Sequence, residues 1–286
     1  MNSVLSPVKV LPKHVLYATD FSGHSSAALP YASSIARKSG GKVTAVHVVS
    51  PGPLGGDFPG HAWQAVVAQG IREAQVAMQR LKPQCGDVEV QTRVSYGSVW
   101  SELAAIVRDE SIDLIVVGTH GRTGISKAVL GSVAEKIFRH APCPVLTVGP
   151  NVCGEVQSVV DLHSILFPTD FSPESKAALP YAVSLAREHR ARLYLLHVVA
   201  PDADADEESL KKQLRGLVPA DAGLACEPKV FVQAGVAAQA IVEWSKEVAV
   251  DLIVMGPKRR SGLPGTMATA YRVATEAICP VLTVRG

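Results

Sequence analysis

Apolar positions along this chain follow two alternating periods. Val15–Ala18 is a short apolar run that reads as a strand. After it, Ala27, Ala28, Tyr31, Ala32, Ile35 and Ala36 recur at the spacing of one helix face, and Ser22 or Ser25 can cap that helix. Lys38-Ser39-Gly40-Gly41 ends it, since glycine accepts the left-handed turn past a helix terminus. Val43–Val49 is rich in β-branched residues and reads as a buried strand. Pro51–Gly60 is a loop by its Gly and Pro content. Helical spacing then covers Ala65–Leu81, Val99–Val107 and Ala134–Phe138, and strand patterns cover Val88–Val94, Asp113–Val117 and Val145–Val148.

The same order returns in the second half. Strands are expected at Ile165–Phe167, Leu193–Val199, Lys229–Val232, Leu252–Met255 and Val281–Val284, and helices at Ala177–Arg187, Leu210–Leu217, Ala237–Val248 and Ala270–Ala277. This recurrence is a duplication. Residues His14–Pro51 and Ser164–Pro201 align without a gap, with 19 of 38 positions identical, both carrying T-D-F-S, A-A-L-P-Y-A and H-V-V. Asp113–Gly118 matches Asp251–Gly256, and both Cys143–Val148 and Cys279–Val284 read CPVLTV. Five strands alternating with helices imply parallel pairing through right-handed crossovers. Each half is therefore expected to be a doubly wound α/β unit, with domains at 1–150 and 164–286 joined by a linker over 151–163. Thirteen linker residues reach at most roughly 45 Å, enough for one unit to roll on the other. The twin CPVLTV strands are edges, and an antiparallel pair between them would close both. Further homodimerisation through another face stays open.

Composition narrows the function classes. A formal charge of +2 on 286 residues carries no nucleic-acid signature, and no apolar run approaches a membrane span. Five cysteines without C-x-x-C spacing argue against a disulfide framework and a zinc site, and suit a cytoplasmic setting. The amino-terminal stretch, broken by Pro7, Lys9, Pro12 and Lys13, makes a poor signal peptide. Nine histidines show no i,i+4 pair and no His-Cys cluster, so no protein-held metal is expected. Asp202–Glu208 is acidic like a calcium loop but lacks its central glycine and its closing glutamate, so it reads as a solvated helix start.

The loop after the fourth strand carries the candidate chemistry. It runs from Gly118 through Gly121 to Gly131-Ser132, as G-x-x-G, nine residues, then G-S. Glycines let a backbone approach a phosphate because no Cβ intervenes. Gly131-Ser132 directly precedes a helical run, so its amides can face an anion with the helix dipole behind them. Neither a Walker A loop nor a G-x-G-x-x-G dinucleotide fingerprint is present. In the second half the corresponding stretch reads Gly256-Pro257-Lys258-Arg259, and Met267-Ala268 stands opposite Gly131-Ser132. Lys258-Arg259-Arg260 is a local basic cluster, either a solvated loop or a seat for a different anion.

With Thr19-Asp20-Phe21-Ser22, His47-Val48, Gly97 and the full G-x-x-G-x9-G-S loop, the chain resembles the universal stress protein family over nearly its whole length. The resemblance implies a Rossmann-like five-stranded parallel sheet of order 3-2-1-4-5 in each half, ATP as ligand, a stress-response role and pairing through the last strands. Its site, carried onto this sequence, is Ala18, Thr19 and Asp20 on the nucleoside side, Val48 at the base, Val117 and Gly118 along the ribose, and Gly121, Gly131, Ser132 and Val133 at the phosphates. His120 and Arg122 lie in the same loop. Any magnesium would arrive on the phosphates. Position 18 is Ala where the family often has Pro, as at Pro168 in the second half.

The expected function is a cytoplasmic ATP-binding stress protein with one competent and one degenerate unit, regulatory or protective toward an unidentified protein partner. Two alternatives remain: a slow ATPase or phosphotransferase at the same site, and an interaction module that uses no nucleotide. Asp20 alone does not decide among them, because Asp170 repeats it in the altered half and a turn or cap role suffices.

Overall fold

The computed structural model describes residues 10–50, 60–119, 129–152, 160–257 and 268–285. The first repeat supplies strands β1 (His14–Ala18), β2 (Lys42–Val49), β3 (Glu89–Tyr96), β4 (Leu114–Gly118) and β5 (Val145–Val148). The second supplies β6 (Ser164–Pro168), β7 (Arg192–Val199), β8 (Lys229–Ala234), β9 (Leu252–Met255) and β10 (Val281–Thr283). They form one ten-stranded sheet in the order β3-β2-β1-β4-β5-β10-β9-β6-β7-β8. Each half thus has the 3-2-1-4-5 order with parallel neighbours, as expected. The two five-stranded sheets are fused at β5 and β10, which run antiparallel with Leu282 opposite Leu146. Two side chains reinforce this seam reciprocally. The Thr147 hydroxyl donates to the Val281 carbonyl at 3.1 Å, and the Thr283 hydroxyl donates to the Val145 carbonyl at 3.2 Å.

The helices of the first repeat are α1 (Gly23–Ser26), α2 (Leu29–Ser39), α3 (Gly60–Gln79), α4 (Val99–Asp109) and α5 (Ser132–His140). Those of the second are α6 (Pro173–His189), α7 (Glu207–Arg215), α8 (Ala237–Glu247) and α9 (Ala268–Glu276). Alternate strand residues serve opposite faces of the sheet: Leu16 and Ala18 join one apolar cluster, Val15 and Tyr17 the other. Both clusters run unbroken from one repeat into the other, so the repeats share their cores across the seam. Full burial of a side chain the size of Leu16 or Val15 stabilises by roughly 1.5–3 kcal/mol.

One departure from the pattern lies after β1. A single helix is expected there, yet the first repeat splits it into α1 and α2 while the second keeps one helix, α6, with Pro180 inside. Both repeats have this proline, at Pro30 and Pro180, and it removes one helical N–H. The leading turns differ. Pro173 and Glu174 favour a helix start in the second repeat, whereas the first has Gly23 and His24 and no acidic residue in that turn. The weaker turn yields to the break.

Only the end of the acidic stretch at 202–208 is a helix start, since α7 begins at Glu207. Asp206 caps α7, its side chain accepting the Ser209 N–H at 3.1 Å.

Candidate functional site

The T-D-F-S segment turns the chain from β1 into α1 and shapes one wall of a cleft. Phe21 sits at φ 63°, in the left-handed region that a bulky side chain rarely occupies. Three contacts hold it there. Its N–H donates to the Thr19 hydroxyl at 3.0 Å, the next N–H, from Ser22, donates to Asp20 Oδ1 at 3.0 Å, and its ring stacks on His47 at 4.5 Å. Ser22 then caps α1 by accepting the Ser25 N–H at 3.2 Å. His47 Nδ1 lies 2.8 Å from the Thr19 carbonyl, and a carbonyl only accepts, so the proton is on Nδ1. The second repeat reproduces all of this: Phe171 at φ 61°, Ser172 N–H on Asp170 Oδ1, and His197 on the Thr169 carbonyl. The motif therefore has a structural cause in both copies.

Gly118 also has a structural cause, independent of any ligand. A Cβ there would stand 2.6 Å from the His24 carbonyl oxygen, so β4 can pass beneath α1 only as glycine. Gly256 meets the Glu174 carbonyl in the same way.

β4 ends at Gly118, and Gly131 caps α5. Two bonds tie these points together: Thr119 N–H donates to the Val148 carbonyl at 2.9 Å, and Gly131 N–H donates to the Thr119 carbonyl at 2.8 Å. Because the Gly131 amide is engaged, an anion here would meet the next amides instead. Ser132, Val133 and Ala134 open α5, and N–H groups of a first helical turn have no intrahelical acceptor. They are backed by the positive end of the helix dipole.

These parts converge on one cleft at the carboxyl ends of β1, β2 and β4. It is lined by Ala18, Thr19, Asp20, Val48, Val117, Gly118, Gly131, Ser132 and Val133 among others, and it holds a cavity of about 160 Å³. One water needs only about 10–15 Å³, so the cleft is far larger than a single-water void. Sequence reasoning named those nine residues. His120, Gly121 and Arg122 lie outside the described residues, as does the Lys258-Arg259-Arg260 cluster. The reasoning missed Val99 and Leu103, which add apolar wall from α4. Their i,i+4 spacing at the start of that helix was the available signal. His47 also lines the cleft while holding the Thr19 carbonyl.

The second repeat fills the corresponding space differently. Ala18, Val46 and Val117 are matched by the larger Pro168, Leu196 and Met255, and Leu196 is fully buried. Cys143 and Cys279 are not site groups: burial pushes their thiols up to about 11 and about 12, the inert form at neutral pH. Among the described residues no three His, Cys, Asp or Glu side chains gather as a metal site, and no helix is long and apolar enough to cross a membrane.

A model of the universal stress protein family matches residues 12–149 and again 162–285. A universal stress protein of Mycolicibacterium smegmatis is 27% identical over 297 residues, covering 95% of this chain and 96% of its own length. One from Methanocaldococcus jannaschii is 32% identical over 150 residues, covering 52% of this chain and 88% of its own. The crystal structure of a universal stress protein from Archaeoglobus fulgidus superposes with a TM-score of 0.75 at 21% identity, over 96% of this chain and 98% of that one.

Proposed function

This chain belongs to the universal stress protein family, and on that premise we propose that its first repeat binds ATP while its second binds none, the whole acting as a nucleotide-loaded stress-response module. The observation that carries the reading is the cleft itself: an apolar floor from Ala18, Val48 and Val117 leads directly to the amino end of α5. A flat apolar base suits the floor. An anion suits the Ser132 and Val133 amides, with the Ser132 hydroxyl as a further donor. Bound ATP would supply a polyphosphate and any magnesium it carries; the chain's own residues bind and orient it.

Binding without rapid turnover fits the side chains better than phosphoryl transfer does. Among the described residues that line the cleft Asp20 is the only carboxylate, and its Oδ1 already accepts the Ser22 N–H. Attack on a phosphate needs a group that positions the nucleophile.

Mass spectrometry of ligand released from denatured protein tests the reading, with ATP expected. Calorimetry extends the test to the contact: Ser132→Ala should weaken ATP about five-fold, the worth of one hydrogen bond. Protein that neither carries ATP nor takes it up would refute the proposal.

A further inference from the structure

Helix α5, whose amino end faces the cleft, is gripped at both ends by the second repeat. At its entrance, the Leu130 N–H donates to the Tyr271 hydroxyl at 3.0 Å, across 141 residues. The Tyr271 ring meets Phe138 edge-on at 6.1 Å and lies 6.0 Å from the Arg139 guanidinium, so it packs along the same helix. At the exit, Arg285 donates to the Phe138 and Ala141 carbonyls. A guanidinium at that end satisfies terminal carbonyls and complements the dipole.

The residues that make these contacts are not repeated in the other half. Counting from the shared CPVLTV strands, Tyr271 corresponds to Glu135 and Arg285 to Gly149. Glu135 makes a local pair with Arg139 at 2.8 Å. Gly149 has no side chain. Tyr271 and Arg285 thus belong to the repeat whose loop has lost Gly-Ser and contact the helix of the repeat that keeps it.

Resting on the ATP reading above, we infer that Tyr271 is a positioning residue for the phosphate end of that site. Its hydroxyl takes the Leu130 N–H and the Thr119 carbonyl takes the Gly131 N–H, so the two peptides before α5 are fixed. The Ser132, Val133 and Ala134 amides are thereby aimed into the cleft before any ligand arrives. The second repeat is the scaffold of the first repeat's anion site, and preorganisation of donors is what it supplies.

Tyr271→Phe in the intact chain removes the hydroxyl and keeps the ring. ATP and adenosine are titrated by calorimetry, and the Leu130 amide is followed by hydrogen exchange without ligand. ATP affinity should fall about five-fold, adenosine affinity should not change, and Leu130 exchange should accelerate. Arg285→Gln should likewise weaken ATP and spare adenosine. Equal losses for ATP and adenosine, or none for either, would overturn the inference. Wild-type protein that binds no ATP would sink the functional reading alone. In that case faster Leu130 exchange in Tyr271→Phe still supports the grip on α5, and unchanged exchange removes it.

Discussion

The Ser34 hydroxyl donates to the Val160 carbonyl at 2.7 Å, joining α2 of the first repeat to the segment that leads into the second. The equivalent residues also meet, through the other backbone group: Val10 N–H donates to the Ser184 hydroxyl at 3.2 Å, with Ser184 equivalent to Ser34 and Val10 to Val160. The leading segment of each repeat thus straps onto the first long helix of the other. Ser34 is almost fully buried, so Ser34→Ala leaves its partner carbonyl without this donor. Unfolding in urea should show a loss of about 1 kcal/mol. An unchanged midpoint would mean that the strap contributes nothing.

Gly118→Ala should destabilise the protein by about 1–3 kcal/mol, as overpacking does, because the neighbour is backbone and cannot swing away. Gly23→Ala, with nothing within 4 Å of the new Cβ, is the matched control and should be far milder. Thermal melts of the two variants decide it, and equal melting temperatures would refute the close approach.

Nucleotide binding should saturate near one ATP per chain. Gly121→Arg, which installs the residue found at Arg259, should abolish binding with the circular dichroism spectrum unchanged. Arg259→Gly should not create a second site, because Met267-Ala268 stands where Gly131-Ser132 would be needed and Met255 and Leu196 narrow the floor. A calorimetric stoichiometry of two would contradict this account of the second repeat.

Stability should fall at alkaline pH. The Cys143 and Cys279 thiols hold their protons more tightly folded than unfolded, because burial raises them from 9.0 to about 11 and about 12. That contribution is fully present below about pH 9 and is lost as pH rises through the folded values. Urea unfolding at pH 8 and pH 10 should show the decline, and Cys279→Ala should flatten it. Exposed Cys226 should meanwhile react with a thiol reagent well before buried Cys279. Equal reaction rates in the native state would contradict the burial argument.

Much of the architecture was legible in the chain. The two periods of apolar residues specify strand and helix because burial on a pleated sheet needs alternation and burial on a helix needs 3.6 spacing. The duplication then specified matching strand orders, and the twin CPVLTV edges specified the seam, since unpaired strand edges seek partners. Nine residues of the candidate cleft were legible because they sit at strand ends and at a glycine-marked helix start. What the chain alone could not reveal depended on distances between elements far apart in sequence. Gly118 is glycine because His24 lies above it, and nothing near position 118 signals that neighbour. The split of α1 from α2 hinged on a small difference between two leading turns that share one proline. The bond from Leu130 to Tyr271 exists only because β5 and β10 lie side by side and bring α9 against α5. Periodicity reports which face of an element is buried, whereas the identity of the atom it meets there is settled only when the repeats pack.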